Sequence, residues 1–434
     1  MLESNIVNNQ IFLNIYELTK FLLPNILAIK ILSLYLTVDL LSNESRMKNS
    51  LGNPARGDAF YPRDREIKKL YRVLNSDASI YLSAPRRVGK TSILKYMEEF
   101  PQPNYYFVYV ITESVESDNE FFKVVFETLL NSKAINNLSK LSAGFRDVLY
   151  GIMDKVKKVY NVELRERGET DYYDLLIELF SHVKNDLGHL VIQIDEFPQT
   201  IQNILNSANK EIAERFIQKN RALRHHPDVT GKIQFIYTGS LSLYPMVEQV
   251  TQLTAVNDLR TVELGALTEV EAGDFLQKLL EGEDLAIDKD VLKYVLDKMK
   301  WHIPFHLQLI AQELIEVYEV EGQELDAKAV DRAFEQVVHV RNRAQFEPYF
   351  ARLNSIFKAE EYQFVIDILK HVALYDQVEE DVMIDFSVKH NIKDIQRIKN
   401  MLEGDGYLFY SIEDSVYRYT SPILQLWCRR HMCR

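Results

Sequence analysis

The sequence predicts an α/β fold: a parallel sheet covered by helices on both faces, then a helical region, then three helices and a hairpin. Three observations carry this prediction. Short apolar runs of strand length alternate with amphipathic runs from residue 67 to 264, the pattern of a two-sided parallel sheet. The first apolar run, Ser79-Ile80-Tyr81-Leu82-Ser83, passes through Ala84-Pro85-Arg86-Arg87-Val88-Gly89-Lys90-Thr91-Ser92 into helical Ile93-Leu94-Lys95-Tyr96-Met97. Strand, loop and helix in that order form a phosphate cradle. After Leu267, strand patterning returns only at residues 407–419.

The elements follow in order. Asn53 to Glu66 is turn-rich and leads into a helix with Ile67, Leu70, Tyr71 and Leu74 on one face. The loop-bearing strand comes next, then a second strand over 104–111. Amphipathic helices are expected over 118–130 and 172–183, with a less readable helical stretch between them. His189-Leu190-Val191-Ile192-Gln193-Ile194 is a strand ending in Asp195-Glu196. A long helix over 208–223 follows. Ile233-Gln234-Phe235-Ile236-Tyr237 is a fourth strand ending in Thr238-Gly239-Ser240, and residues 261–264 make a fifth.

Helices over 268–280, 288–299, 303–318 and 326–340 make the helical region, the first opened by a Thr268/Glu271 capping box. Helices over 360–374, 379–389 and 392–402 precede a hairpin of 407–412 and 416–419, the order of a winged helix. A last helix covers 422–431. The expected boundaries are an N-terminal apolar segment, 1–46; a phosphate-loop core, 47–267; a helical lid, 268–345; and a winged helix, 346–434.

Each polar group of the loop has a task. Backbone N–H groups at the helix N-terminus face nucleotide phosphates. Lys90 brings a point charge to the outer phosphates, and the Thr91 hydroxyl can hold Mg²⁺. Ala84 occupies the position where glycine usually opens such a loop, so the turn must avoid positive φ there. Arg86 and Arg87 either neutralise phosphate or remain solvated loop charges. Asp195, at a strand tip, is placed to hold Mg²⁺ through water, and Glu196 to polarise the attacking water. Ser240 can touch the terminal phosphate or that water. Arg221 and Arg224 either serve a helix end electrostatically or reach a neighbouring subunit. His302 and His306 lack further ligands at metal spacing and are expected to pack internally.

Composition sets limits. The chain has 434 residues, 47% hydrophobic and 26% charged, with net charge −12. Such acidity argues against a broad nucleic-acid surface. Cys428 and Cys433 make neither a disulfide framework nor a zinc site, and the cytoplasm is the expected compartment. The run from Ile11 to Leu41 is broken by Glu17, Lys20, Pro24, Lys30 and Asp39. It is too interrupted for a spanning helix and lacks the basic start of a signal peptide. Met47 is a candidate true start.

Asn53-Pro54 through Glu66, the loop 84–92, Asp195-Glu196, Tyr237-Thr238-Gly239-Ser240, Asn257-Asp258 and Ile303-Pro304-Phe305 resemble ATP-binding proteins of the AAA-like/STAND type, often called archaeal-type ATPases. The resemblance spans about residues 53–434. It implies a P-loop NTPase fold of the ASCE/AAA-like kind with five parallel strands, a helical lid and a winged helix. It implies ATP and Mg²⁺ as ligands. It places Phe60, Arg63 and Pro304 on the nucleotide beside the loop, with Glu196, Lys90 and Ser240 as catalytic groups and Thr91 and Asp195 on the metal. His302 replaces the glycine of the lid motif, and Pro62 that of the lead-in.

The expected activity is slow ATP hydrolysis serving as a switch. A DNA-binding regulator gated by ATP and a scaffold with little turnover are the alternatives. Residues 346–434 hold 14 Asp/Glu and 11 Lys/Arg, and the wing tip, Glu413-Asp414, is acidic. A protein surface, or the chain's own core, is therefore favoured over DNA as the partner. No membrane partner is expected, and self-association is possible.

Overall fold

A computed structural model describes residues 46–141, 143–163, 170–183, 188–357 and 359–433. Two compact units divide the chain, 1–46 and 47–434. The expectations for the N-terminal segment lie outside the described residues. Among the described residues no helix is long and apolar enough to cross a membrane.

Residues 47–434 begin with α1 (Asp64–Leu74), β1 (Ile80–Ser83), α2 (Lys90–Glu99), β2 (Tyr105–Ile111) and α3 (Asp118–Leu130). The less readable stretch is two helices, α4 (Lys133–Leu141) and α5 (Ala143–Glu163), followed by α6 (Tyr172–Ser181). Next come β3 (His189–Asp195), α7 (Phe197–Ser207), α8 (Lys210–Arg224), β4 (Ile233–Thr238), α9 (Leu243–Val250) and β5 (Arg260–Glu263). The five strands are parallel in the order β2-β3-β4-β1-β5.

Strand periodicity builds the two faces. In β1, Ile80 and Leu82 join Val191 and Ile236 in one apolar cluster with Leu70 and Leu74 of α1 and Leu94 and Met97 of α2. Tyr81 points the other way, into a cluster with Ile192, Phe235, Phe197 of α7 and Phe216 of α8. Alternate residues of one strand thus serve opposite layers. Each layer is a hydrophobic contact that the sheet cannot lose without exposing a strand face.

The helical region is α10 (Glu269–Glu281), α11 (Lys289–Met299), α12 (Pro304–Glu319) and α13 (Ala327–Val337). The Thr268/Glu271 capping box is present in full. Then follow α14 (Arg343–Ile356), α15 (Ala359–Tyr375), β6 (Val378–Glu379), α16 (Glu380–Lys389), α17 (Ile395–Gly404), β7 (Leu408–Ser411), β8 (Val416–Tyr419) and α18 (Pro422–His431). The last three strands form an antiparallel sheet in the order β6-β8-β7.

Among the described residues, helices α7, α9 and α14 and strand β6 were unread in the sequence. The helix expected over 208–223 starts later, at Lys210, because Asn209 caps it by accepting from the Ile212 N–H. His302 and His306 do not share a helix, since α12 begins at Pro304.

The C-terminal residues reach the phosphate loop directly. Gly406 follows α17 with φ +77°, and an added Cβ would lie 2.8 Å from Pro85 Cβ and 3.1 Å from the Trp301 ring. Glycine is needed there for both backbone and space. Gly406→Ala should therefore destabilise the protein by about 2 kcal/mol. Chemical denaturation should show a lower midpoint with an unchanged slope.

Candidate nucleotide site

The loop between β1 and α2 is shaped by two left-handed residues, Arg87 (φ 69°) and Gly89 (φ 101°). Gly89 is the N-cap of α2, and its value suits glycine far better than other residues. A Cβ at Gly89 would meet nothing within 4 Å. Its requirement here is backbone conformation rather than crowding by the chain. Ala84 is not among the positive-φ residues, so alanine fits where glycine is usual.

The loop wraps the Lys90 ammonium, which donates to the carbonyls of Ala84 (2.9 Å) and Pro85 (3.0 Å). Burial, opposed by the nearby Glu196 and Asp195 charges, pushes the Lys90 amine down to about 8.

The tip of β3 faces α2. Asp195 accepts through Oδ2 from the Thr91 hydroxyl (2.9 Å) and the Tyr109 hydroxyl (2.6 Å). Burial and the Asp195 carboxylate hold the Tyr109 phenol well above its ordinary range. Glu196 is a non-glycine residue in the left-handed region, φ 65° and ψ 29°, at the N-cap of α7. Such strain at a strand tip aims a side chain. Its Oε2 accepts from the Ser240 N–H (2.9 Å) and hydroxyl (2.8 Å). Burial raises the Glu196 carboxyl above the usual carboxylate range, offset in part by these two bonds.

These groups surround a cavity of about 450 Å³, a volume typical of small-molecule sites. Its wall includes Phe60, Arg63, Arg86 to Ser92, Glu196, Ser240 and Pro304. Phe60 stacks on Tyr96 at 4.4 Å. The Arg87 guanidinium lies over the Phe305 ring at 4.4 Å. Three expected members stand back from the wall. Ala84 and Pro85 contribute carbonyls to Lys90, and Asp195 sits behind Thr91. The Ser92 hydroxyl accepts from the Ala55 N–H at 3.0 Å, tying the lead-in segment to α2.

Glu113, Gln199, Gln308 and Arg352 also line the cavity, and none was singled out in the sequence. Glu113 lies just past the tip of β2, where strand ends gather, so its position was a readable signal. Gln199 and Arg352 lie on α7 and α14, helices the periodicity did not reveal. The buried Arg63 Nη1, Arg87 Nε and Arg352 Nε have no hydrogen-bond partner among the described residues. Buried guanidinium donors without acceptors fit an anionic ligand.

Other candidates are engaged elsewhere. Arg224 is buried, donating to both oxygens of Asp258 (2.6 and 3.0 Å), and Arg221 donates to Asn257 and Asp258. His306 is buried against the Ser421 hydroxyl, and burial lowers it to about 3. No group of three or more His, Cys, Asp or Glu able to hold a metal occurs among the described residues. In the C-terminal part, Arg397 pairs with Glu361, Lys399 is buried against Glu380, and Arg418 pairs with Asp414.

Comparison with known proteins agrees with this architecture. Residues 67–236 match a family model described as predicted AAA-ATPase. The Walker-type ATPase paby2304 of Pyrococcus abyssi is similar in structure, with a TM-score of 0.57 at 16% identity over 89% of this chain and 99% of that one. That likeness shows the fold: the chain has the α/β P-loop NTPase fold. The ORC2 protein of Aeropyrum pernix, in ADPNP–ADP complexes, matches with a TM-score of 0.46 at 12% identity over 90% of this chain and 98% of that one. The RuvB Holliday junction branch migration motor of Thermotoga maritima gives 0.42 at 10% over 84% and 94%. No curated protein matches the chain.

Tyr109 supplies one of two side-chain donors to Asp195 Oδ2. Tyr109→Phe should cost about 1–2 kcal/mol, since it leaves a buried carboxylate oxygen short of a donor. Equilibrium unfolding at neutral pH should show the loss.

Proposed function

We propose that this protein is a cytoplasmic, Mg²⁺-dependent ATPase of the AAA-like/STAND kind, hydrolysing ATP to ADP and phosphate slowly and using the nucleotide as a switch. The domains we assign are a core of 47–267, a lid of 268–345 and a winged helix of 346–434, the last docked on its own core. The observation that carries this reading is the convergence on one cavity of the Lys90 loop, Thr91, Glu196 and Ser240, with Asp195 bonded behind Thr91.

The residues present fit the group. The N-terminus of α2 and Lys90 offer donors to phosphate oxygens. Thr91 would hold Mg²⁺ directly and Asp195 through water, and the ion would neutralise charge on those oxygens. Arg63, Arg86 and Arg87 add positive charge to the wall, while Phe60 and Pro304 offer apolar surface to a base. Glu196 uses Oε2 for Ser240, and Oε1 makes no hydrogen bond among the described residues. Oε1 is the atom to accept from the attacking water and take its proton. Ser240 fixes the carboxylate for that task. The pairing of Arg397, Lys399 and Arg418 with acids speaks against a duplex partner, because those cations are already compensated.

Lys90→Ala should weaken ATP binding by roughly a hundredfold or more while leaving the fold intact. Wild-type binding should also carry a proton signature. The free amine loses its proton as pH rises through about 8, and phosphate favours the charged form, so binding above that pH takes up protons. Calorimetry in buffers of different ionisation enthalpy should detect the uptake, and Lys90→Ala should abolish it. Near-normal affinity in the folded variant would exclude this site.

Glu196→Gln should slow turnover about 10²–10⁴-fold with ATP affinity nearly unchanged. The base must be ionised, and burial raises its pKa. Wild-type turnover should therefore fall as pH drops through a value above the ordinary glutamate range, and the residual rate of the variant should not follow that profile. Equal turnover in both proteins would remove Glu196 from the chemistry.

A further inference from the structure

The cavity wall includes one cation that belongs neither to the phosphate loop nor to its lead-in. Arg352 lies on α14, after the helical region, and is separated from Lys90 by most of the chain. Its side chain is 8% exposed. A guanidinium has five N–H donors, yet the only acceptor Arg352 has among the described residues is Asp405 Oδ2, at a long 3.5 Å from Nη2. Its Nε is buried and has no partner among the described residues. A buried arginine in that state is under-satisfied, and it faces the same space as Lys90, Glu196 and Ser240.

Its counter-ion is better satisfied. Asp405, 4% exposed, accepts through Oδ1 from the Ser242 N–H (3.0 Å) and hydroxyl (2.9 Å). Ser242 lies two residues beyond Ser240, whose N–H and hydroxyl hold Glu196. The charges of Arg352 and Asp405 both reach the Lys90 amine, with opposite effects on its proton affinity. Neighbouring contacts fix this arm in place: the Tyr407 hydroxyl donates to the Tyr349 carbonyl at 2.6 Å, and Arg86 donates to the Pro348 carbonyl at 3.4 Å.

We propose that Arg352 is a specificity-determining residue for the terminal phosphate of a nucleoside triphosphate, and that Asp405 competes with that phosphate for it. The inference rests on the nucleotide reading of the cavity and deepens it. A terminal phosphate offers the planar fork of Arg352 two oxygens and the unpartnered Nε an acceptor. A diphosphate lacks that group, so Arg352 stays with Asp405. Engagement of the triphosphate leaves Asp405 with the Ser242 donors alone.

The test uses the full chain and compares the dissociation constants of a non-hydrolysable ATP analogue and of ADP, each with Mg²⁺, by calorimetry. Arg352→Ala should weaken the analogue about tenfold, equivalent to ~1.4 kcal/mol, and change ADP by less than about twofold. Arg352→Lys keeps the charge without the fork and should recover only part of the loss. Asp405→Asn keeps an acceptor for Ser242 and removes the competing charge, so it should tighten the analogue and leave ADP unchanged. That gain should vanish in the Arg352→Ala/Asp405→Asn double variant, an effect that a purely structural role for the pair would not produce. Should Arg352→Ala fail to fold, the Lys and Asn variants carry the comparison. Equal weakening of both nucleotides by the Arg352 variants, or no shift of their ratio in Asp405→Asn, overturns the role of Arg352 and leaves the nucleotide site standing. Wild-type protein that binds neither nucleotide overturns the site itself.

Discussion

The burial of one ammonium group organises the cavity at the end of the parallel sheet. Lys90 opens a helix beneath a loop, and its charge is met by backbone, since among the described residues no carboxylate bonds to it. The carbonyls of Ala84 and Pro85 meet it, which obliges the loop to fold over the side chain. That fold requires left-handed backbone at Arg87 and Gly89. The closed loop also meets the C-terminal part: Pro85 packs against Gly406, and Arg86, in the cavity wall, donates to the Pro348 carbonyl. A local solution to a desolvation problem thus becomes the contact surface between residues more than 250 positions apart in sequence.

The same constraint explains the electrostatics. Lys90 is surrounded by Glu196, Asp195, Arg352 and Asp405, two acids from the tip of β3 and an ion pair from the C-terminal part. The sheet acids are held by neutral donors, Thr91, Tyr109 and Ser240, rather than by cations. Their charge is therefore oriented but not neutralised, and an added cation finds it available. Arg63, Arg87 and Arg352 of the wall are the converse, each with a buried donor that has no acceptor among the described residues.

Much of this was legible in the sequence. Helices 118–130 and 422–431 could be read to the residue, because Ser117 and Ser421 cap them and accept from the Glu120 and Leu424 N–H groups. Four of the parallel strands were visible as apolar runs, and the fifth, expected over 261–264, lies at Arg260–Glu263 with only Val262 buried; Asp195, Glu196 and Ser240 gather at strand tips around Lys90 and Thr91, which open α2. What escaped has physical reasons. Helix α7 starts at the residue after Glu196 with a proline in its first turn, so no linker marked it. Helix α14 contains Pro348 internally, which reads as a break although the fold tolerates it. Strand β6 is two residues long and exists only through pairing with β8. Arg352 was invisible as a site residue for the same reason as its helix. Its meaning comes from tertiary placement opposite Lys90, which no local pattern encodes.

The strand order carries a consequence for how the chain acquires its structure. β1 lies between β4 and β5 and pairs with neither β2 nor β3. The Leu82 carbonyl at its end waits for the Thr238 hydroxyl, 156 residues later. During synthesis the loop-bearing segment is therefore made early but has no strand neighbour until β4, Ile233–Thr238, about 150 residues further on, has left the ribosome. The apolar Ile80-Tyr81-Leu82 run is exposed over that interval, and closing so long a loop is slow. Folding of β1 is in this way tied to the arrival of β4 and β5, so a truncated chain lacking both has no parallel neighbour to hold the phosphate loop at its tip.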